Sequence, residues 1–415
     1  NGDFKLSFEA EHAEYFDFFA GNKGFRLYLK PGDSIYLTAN LNNLPGTTQI
    51  SGDRVNENTF AKHKIKVLAE NNLLNYNSLT EYQVQDFLSK KSSTIQQIRR
   101  DLDSMSNSLA LDEQFVAAEK EALKFKDLEL DFLYPIYYKH YNAISPDSSS
   151  YPYASIDDRI LNISLDNPDL IFYNEYNSVA QRKLYLIRQN NNDQEVEESA
   201  DAYLQGIYEI VDANLNNQSV KEYLKFIVLN DILSFTTPHE VEQEIDAFLS
   251  FNNNPVYQKI IAEEKKAWDH LKPGSSILDV EFENSDGSKT SLADLNGKIV
   301  YIDLWATWCK PCIAEHPFWD ALVEEYKNKP IAFVAISVDQ NKEAWKNYLS
   351  TQKLSGTHWY LPESIREDFA EFIKLDGIPR YLLLDTSQRI INSNAMRPSG
   401  NIRETLDKAL SDLTS

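Results

Sequence analysis

The order of apolar and polar positions changes character twice along the 415 residues. At the start its period is two. "FKLSFEA" sets Phe4, Leu6 and Phe8 on one face, and "GFRLYLKPGDSIYLTANL" keeps the alternation on both sides of a turn at Pro31, Gly32 and Asp33. Alternation of this kind predicts half-buried strands, and Pro, Gly and Asp close turns. A further turn, "SGDRVNEN", ends the stretch. The expectation for residues 1–58 is a small β-sheet or sandwich.

From 59 to 271 the spacing becomes helical. "VQDFLSKKSSTIQQIRRDL" places Val84, Phe87, Leu88, Ile95 and Ile98 three or four apart, and "ADAYLQGIYEIVDANL" and "SVKEYLKFIVLNDIL" repeat the habit. "TTPHEVEQEIDAFLSF" offers Thr236 or Thr237 as a cap and Pro238 as the first helical residue. This predicts a central helical region of seven to nine helices, without a fixed-period repeat. The aromatic run "LDFLYPIYYKHYNAISPDSSSYPYASID" reads as bundle core followed by an exposed loop at 145–155.

Lys272, Pro273 and Gly274 mark the second change. Strand "KIVYIDLWA", helix "PCIAEHPFWDALVEEY", strand "IAFVAISVD", helices "KEAWKNYL" and "SIREDFAEFI", paired strands "RYLLLD" and "RIINSN", and helix "NIRETLDKALSDL" follow in turn. Alternation of strand and helix predicts an α/β sheet covered on both faces over 272–415. The chain is therefore expected to be multidomain, with divisions at 1–58, 59–271 and 272–415.

Charge narrows the partners. There are 41 Lys and Arg against 63 Asp and Glu, a net charge of -22. Nucleic acid and anionic membrane surfaces both select clustered positive charge, so neither is expected as a partner. No run reaches the length of a membrane span. No nucleotide-binding glycine motif is visible, and no cofactor is expected.

The two cysteines of the chain, Cys309 and Cys312, lie in "WATWCKPCIAEHP". Structural zinc asks for four ligands, and one pair with seven scattered His does not supply them, so no metal site is expected. A structural disulfide across two residues would constrain the unfolded chain little. Redox chemistry suits the spacing better. A thiol at a helix N-terminus meets unpaired N–H groups and the positive end of the dipole, which favour the thiolate. Cys309 is placed to attack a disulfide, and Cys312, one turn on, to resolve the product. Pro311 removes an N–H that the first turn does not use.

"DLWATWCKPCIAEHP" resembles the active-site stretch of the thioredoxin superfamily, and more narrowly that of the TlpA/ResA-like thiol–disulfide reductases of bacterial envelopes. "DGSKTSLADLNGK" resembles the extra hairpin of that branch, "VAISVD" its central strand, and "DGIPRYLLLD" its cis-proline loop. The resemblance implies a thioredoxin-like fold for the last third. It implies Cys309 as the attacking and Cys312 as the resolving cysteine. Pro379 would be the cis-proline, with the Ile378 backbone pairing to an extended substrate. Asp303 would be the buried acid beneath the pair, and Glu315 a second acid, either serving as proton relay. Trp308 would form part of the docking rim, with Lys310 and Pro311 between the cysteines. Trp305 is expected as core support and His316 as packing or surface.

The same resemblance implies direction and setting. A Pro in the second slot between the cysteines goes with reductases, while the charge of Lys310, where the family commonly has Gly, moderates the potential. The expected partners are a protein disulfide as substrate and a thiol protein or membrane thiol transporter as electron donor. The expected location is the periplasm or cell envelope, with a lipid anchor as one arrangement. A disulfide isomerase, or a non-enzymatic protein that docks partners on this domain, are the alternatives. "LYLKPGDSIYLTANL" with "SGDRVNEN" resembles the front of large TlpA-like proteins of Bacteroidetes and implies no catalytic residues.

Overall fold

The computed structural model describes residues 5–8, 13–20, 23–40, 47–142, 151–191 and 199–413. The chain forms two compact units, Asn1–Val228 and Leu229–Ser415.

In the first unit, β1 (Glu14–Ala20) pairs antiparallel with β2 (Lys23–Leu29), and β3 (Ile35–Thr38) with β4 (Gln49–Gly52). Among the described residues the expected sheet or sandwich is thus two separate two-stranded ladders. For the first ladder the reason lies in what covers it. Tyr15, Leu27, Tyr28 and Leu29 are buried, and the Tyr28 ring lies 4.7 Å from Phe115 on a long helix. The Asn58 side chain accepts from the Tyr28 N–H at 2.8 Å and donates to its carbonyl at 2.9 Å. A helical surface therefore supplies the second layer that another sheet would have provided. Residues 5–8 join no strand, while Phe4, Glu9 and Ala10 of the first expected strand lie outside the described residues.

Seven helices follow among the described residues: α1 (Val55–Glu70), α2 (Val84–Leu109), α3 (Glu113–Asn142), α4 (Tyr153–Asn162), α5 (Asn174–Asn191), α6 (Ala200–Asn214) and α7 (Gln218–Ile232). The division between the units falls inside α7. The aromatic run packs as core: Tyr134 is fully buried, stacked 4.0 Å from Phe87 and 5.5 Å from Tyr151. Of the expected loop at 145–155, residues 145–150 lie outside the described residues, and Tyr153 already opens α4. Charges buried along α3 have partners, with Lys64 2.8 Å from Glu119, Lys91 2.6 Å from Asp131 and Lys126 2.7 Å from Glu129. A buried charge left alone would be strongly destabilising.

After the end of α7 the second unit continues with α8 (Glu242–Phe251) and α9 (Pro255–Ala267). The helix expected from Pro238 begins instead at Glu242, because the Glu240 N–H closes a separate turn on the Thr237 carbonyl at 3.0 Å. Asn254 caps α9, accepting from the N–H groups of Val256 and Tyr257 ahead of a Pro at the first helical position.

A seven-stranded sheet follows, in the order β11-β10-β7-β8-β9-β5-β6. The strands are β5 (Phe282–Asn284), β6 (Lys289–Thr290), β7 (Ile299–Trp305), β8 (Ile331–Ser337), β9 (Thr357–Tyr360), β10 (Arg380–Leu384) and β11 (Ile390–Asn392). β7, β8 and β9 run parallel; β10 lies antiparallel to β7, and β5 antiparallel to β9. The helices between and after them are α10 (Lys310–Glu325), α11 (Lys342–Gln352), α12 (Glu363–Phe372) and α13 (Ile402–Asp412). One core cluster holds Tyr301, Trp305, Trp319, Tyr381 and Leu383 with both cysteines; the other holds Val300, Ile302, Leu304, Leu382 and Phe369. Alternate residues of β7 and β10 thus serve opposite faces of a sheet covered on both sides.

Residues 229–271 were expected with the helical region, yet they belong to this second unit. Trp268 and Leu271 are buried in the cluster of Leu304 and Leu382. An apolar helix end seated in a sheet's core moves a domain division that Lys272, Pro273 and Gly274 mark only as a change of element.

Candidate active site

Every residue of β7 is buried, which a strand of "IVYIDLW" permits only at the centre of a doubly covered sheet. The chain leaves β7 at Trp305 and turns through Ala306, Thr307 and Trp308. Asp339, buried just past β8, holds this turn. Its carboxylate accepts from the Thr307 N–H at 3.0 Å, the Thr307 hydroxyl at 2.7 Å and the Ser337 hydroxyl at 2.8 Å. The Cys309 N–H then closes on the Ala306 carbonyl, and α10 begins.

Cys309 is the N-cap of α10, and its sulfur accepts from the Cys312 N–H at 3.2 Å. The two cysteines form a disulfide. Both are buried, while Lys310 and Pro311 are exposed and Trp308 is 68% exposed. The Cys309 Sγ lies 3.8 Å from the carbonyl oxygen of Ile378, and the Ile378-Pro379 peptide is cis. Strand β10, starting at Arg380 beside β7, carries this loop to the disulfide.

Two buried acids sit on the elements that flank the disulfide, Asp303 on β7 and Glu315 on α10. Asp303 is 2% exposed. Tyr301 and Trp305, two residues to either side of it on β7, pack with the cysteines, so alternation points Asp303 to the same face. Burial pushes its carboxyl well above the usual carboxylate range, and the nearby Glu315 charge adds to this. Tyr381, its cross-strand neighbour, pulls the other way without meeting hydrogen-bond geometry, so Asp303 Oδ1 has no hydrogen-bond partner among the described residues. Glu315 is buried too, and accepts from both the N–H and the hydroxyl of Ser399, at 3.0 and 2.9 Å.

The structure thus brings together Cys309, Cys312, Lys310, Pro311, Trp308, Ile378 and Pro379 at one end of the sheet, while Asp303, on the cysteines' side of β7, and Glu315, on α10, are near enough to each other to interact. Trp305 is core. His316 is buried edge-on to Trp305, and burial lowers its pKa. Sequence reasoning missed Asp339, Tyr381 and Ser399. Asp339 had a signal, a lone acid ending the apolar run "IAFVAIS"; Ser399, 84 residues from Glu315, had none. Among the described residues no group of three or more His, Cys, Asp or Glu is placed to hold a metal ion.

A two-residue-spaced disulfide at a helix N-terminus, a cis-proline facing it and a mixed sheet behind define a thioredoxin-fold disulfide protein. The Redoxin family matches residues 272–410. Over 139 residues the chain is 30% identical to the thiol-disulfide oxidoreductase ResA of Bacillus cereus (strain ATCC 10987 / NRS 248), covering 33% of this chain and 75% of that protein. It is 37% identical over 76 residues to the thioredoxin-like protein YneN of Bacillus subtilis, covering 18% of this chain and 44% of that protein. The thioredoxin domain of a thiol-disulfide oxidoreductase from Bacteroides vulgatus is 26% identical, with 34% of this chain and 99% of that one covered at a TM-score of 0.32. Through its last third the chain belongs to the TlpA/ResA-like branch of the thioredoxin superfamily, and it is a thiol–disulfide oxidoreductase.

Proposed function

We propose that the protein reduces disulfides of cell-envelope proteins through a mixed disulfide, with Cys309 attacking and Cys312 resolving. The observation that carries this reading is the Cys309 sulfur at the N-terminus of α10, accepting the Cys312 N–H and facing the Ile378 carbonyl. Hydrogen bonding and the helix dipole both favour a thiolate at that position.

A thiol protein or a membrane thiol transporter first supplies two electrons and two protons, opening the Cys309–Cys312 bond. The Cys309 thiolate then attacks one sulfur of the substrate disulfide. That S–S bond breaks, an enzyme–substrate S–S bond forms, and the first substrate sulfur leaves as thiolate and takes a proton. Cys312 loses its proton and attacks Cys309 Sγ, which restores the enzyme disulfide and releases the second substrate thiol. Asp303 takes the Cys312 proton: a carboxyl whose pKa is raised by burial is a better base for a thiol than an ordinary one. Glu315, fixed by Ser399, raises the Asp303 pKa further by its charge. Ile378 and Pro379 present backbone to an extended substrate, and the exposed Trp308 ring forms the rim.

Insulin reduction by dithiothreitol tests the reading. Wild type is expected to accelerate precipitation of the B chain, and Cys309→Ser to leave it at the uncatalysed rate. Equal rates for the two proteins would defeat it.

A further inference from the structure

The family match begins at residue 272, yet the second compact unit begins at Leu229. What residues 229–271 do for the site follows from the two faces of the sheet. Tyr381 and Leu383 of β10 pack on the face of the disulfide, while Leu382 and Leu384 pack on the other with Trp268. By the same alternation Arg380, the first residue of β10, turns to the Trp268 face. Its guanidinium lies 5.3 Å from the Trp268 ring centroid, and Lys374 Nζ also lies 5.3 Å from it. One indole therefore grips both ends of the stretch 374–380, which carries Ile378 and Pro379. Ile378, between those ends, packs against both core clusters.

The grip is itself held. The Trp268 indole N–H donates to Glu264 Oε1 at 2.6 Å, and Lys374 Nζ lies 3.2 Å from the same oxygen. His239 Nε2 donates to the Trp268 carbonyl at 2.9 Å, and His270 Nε2 to the Phe372 carbonyl at 2.7 Å, just ahead of the stretch. On its other side, Asn394 Nδ2 donates to the Phe235 carbonyl at 2.9 Å, and Arg380 Nε to the Ser393 carbonyl at 2.9 Å. Burial brings the Arg380 pKa down to about 10, against the pull of Asp376 and Glu240, so the guanidinium remains a cation at neutral pH for the indole to hold.

We propose that residues 229–271 are a working part of the catalytic unit, with Trp268 as the positioning residue that fixes the Ile378–Pro379 loop from the face opposite the disulfide. The inference rests on the reading that this loop receives the substrate chain. A polypeptide must pair along the loop, so its binding depends on the loop's placement. A small disulfide needs only access to the Cys309 sulfur.

The full chain carrying Trp268→Ala, Trp268→Phe or Arg380→Gln tests this with two readouts. In hydrogen exchange by mass spectrometry, Trp268→Ala and Arg380→Gln speed exchange in peptides covering 374–380 and leave those covering 310–325 unchanged. In turnover, KM for insulin rises roughly tenfold on displacing the loop, while reduction of oxidised glutathione stays within about twofold. Trp268→Phe, which keeps a ring under both cations, recovers most of the loss. Unchanged exchange at 374–380, or equal losses on both substrates, overturns the inference. If Trp268→Ala does not fold, Arg380→Gln decides by the same measures. Wild type failing on insulin would sink the proposed function, while the exchange data would still judge Trp268.

Discussion

Asp303 puts a carboxyl in the middle of a strand whose other residues are all apolar or aromatic. Burial is costly for the ionised form, and its raised pKa expresses that cost. A carboxyl bound more tightly to its proton when folded contributes stability fully below its unfolded pKa of about 3.9 and loses it as pH rises through the folded value. Asp303→Asn removes this loss. In urea titrations of the oxidised protein, the variant's advantage over wild type should therefore be least near pH 4, grow with rising pH, and level off above the folded pKa. An advantage independent of pH would contradict the assignment. In stopped-flow mixing of the reduced enzyme with a protein disulfide, Asp303→Asn should slow resolution by Cys312 more than attack by Cys309. An unchanged second step would remove Asp303 from the relay. Asp303 was legible in the sequence through the resemblance of "DLWATWCKPCIAEHP" to the thioredoxin active-site stretch, which implies a buried acid at that position. The partners that tune it were not: Tyr381 reaches it across a strand pair and Ser399 acts on Glu315 from another turn.

At the scale of elements, the site is made by strand ends. β7 delivers the cysteines, β10 the cis-proline, and β8 the Asp339 that ties down the turn between β7 and α10. Asp339→Ala leaves the Thr307 N–H and two hydroxyls without their acceptor. The expected cost is about 1–3 kcal/mol for buried donors left unpaired, read as a lower urea midpoint at constant slope. A midpoint equal to wild type would mean that the turn holds without Asp339. The strands of the last third were legible because buried runs such as "KIVYIDLWA" and "IAFVAISVD" admit few other structures. The start of α8 was not, since Pro238 is as good a signal for the turn that forms as for the helix expected there.

For the whole molecule, the sequence marks a division at Lys272, Pro273 and Gly274, and the contacts set another, at Val228 and Leu229. Pro and Gly report a change of backbone, whereas Trp268 and Leu271 report which core a helix end joins, and only packing reveals the second. Limited digestion of the native chain with thermolysin should leave a resistant fragment that retains α8 and α9 with the sheet. A resistant fragment starting near residue 272 would contradict that division. The front unit shows the same lesson: alternation marks β2 and β3, places no strand at β1, and says nothing of the helical layer that covers the first hairpin. The central claim is that Cys309 attacks a protein disulfide and Cys312 resolves it, and trapping tests it most directly. Reduced Cys312→Ser mixed with a disulfide-bonded substrate should accumulate a covalent adduct through Cys309, visible on non-reducing gels and released by dithiothreitol. Cys309→Ser should form none. Equal adduct on both variants, or none on Cys312→Ser, would contradict the account.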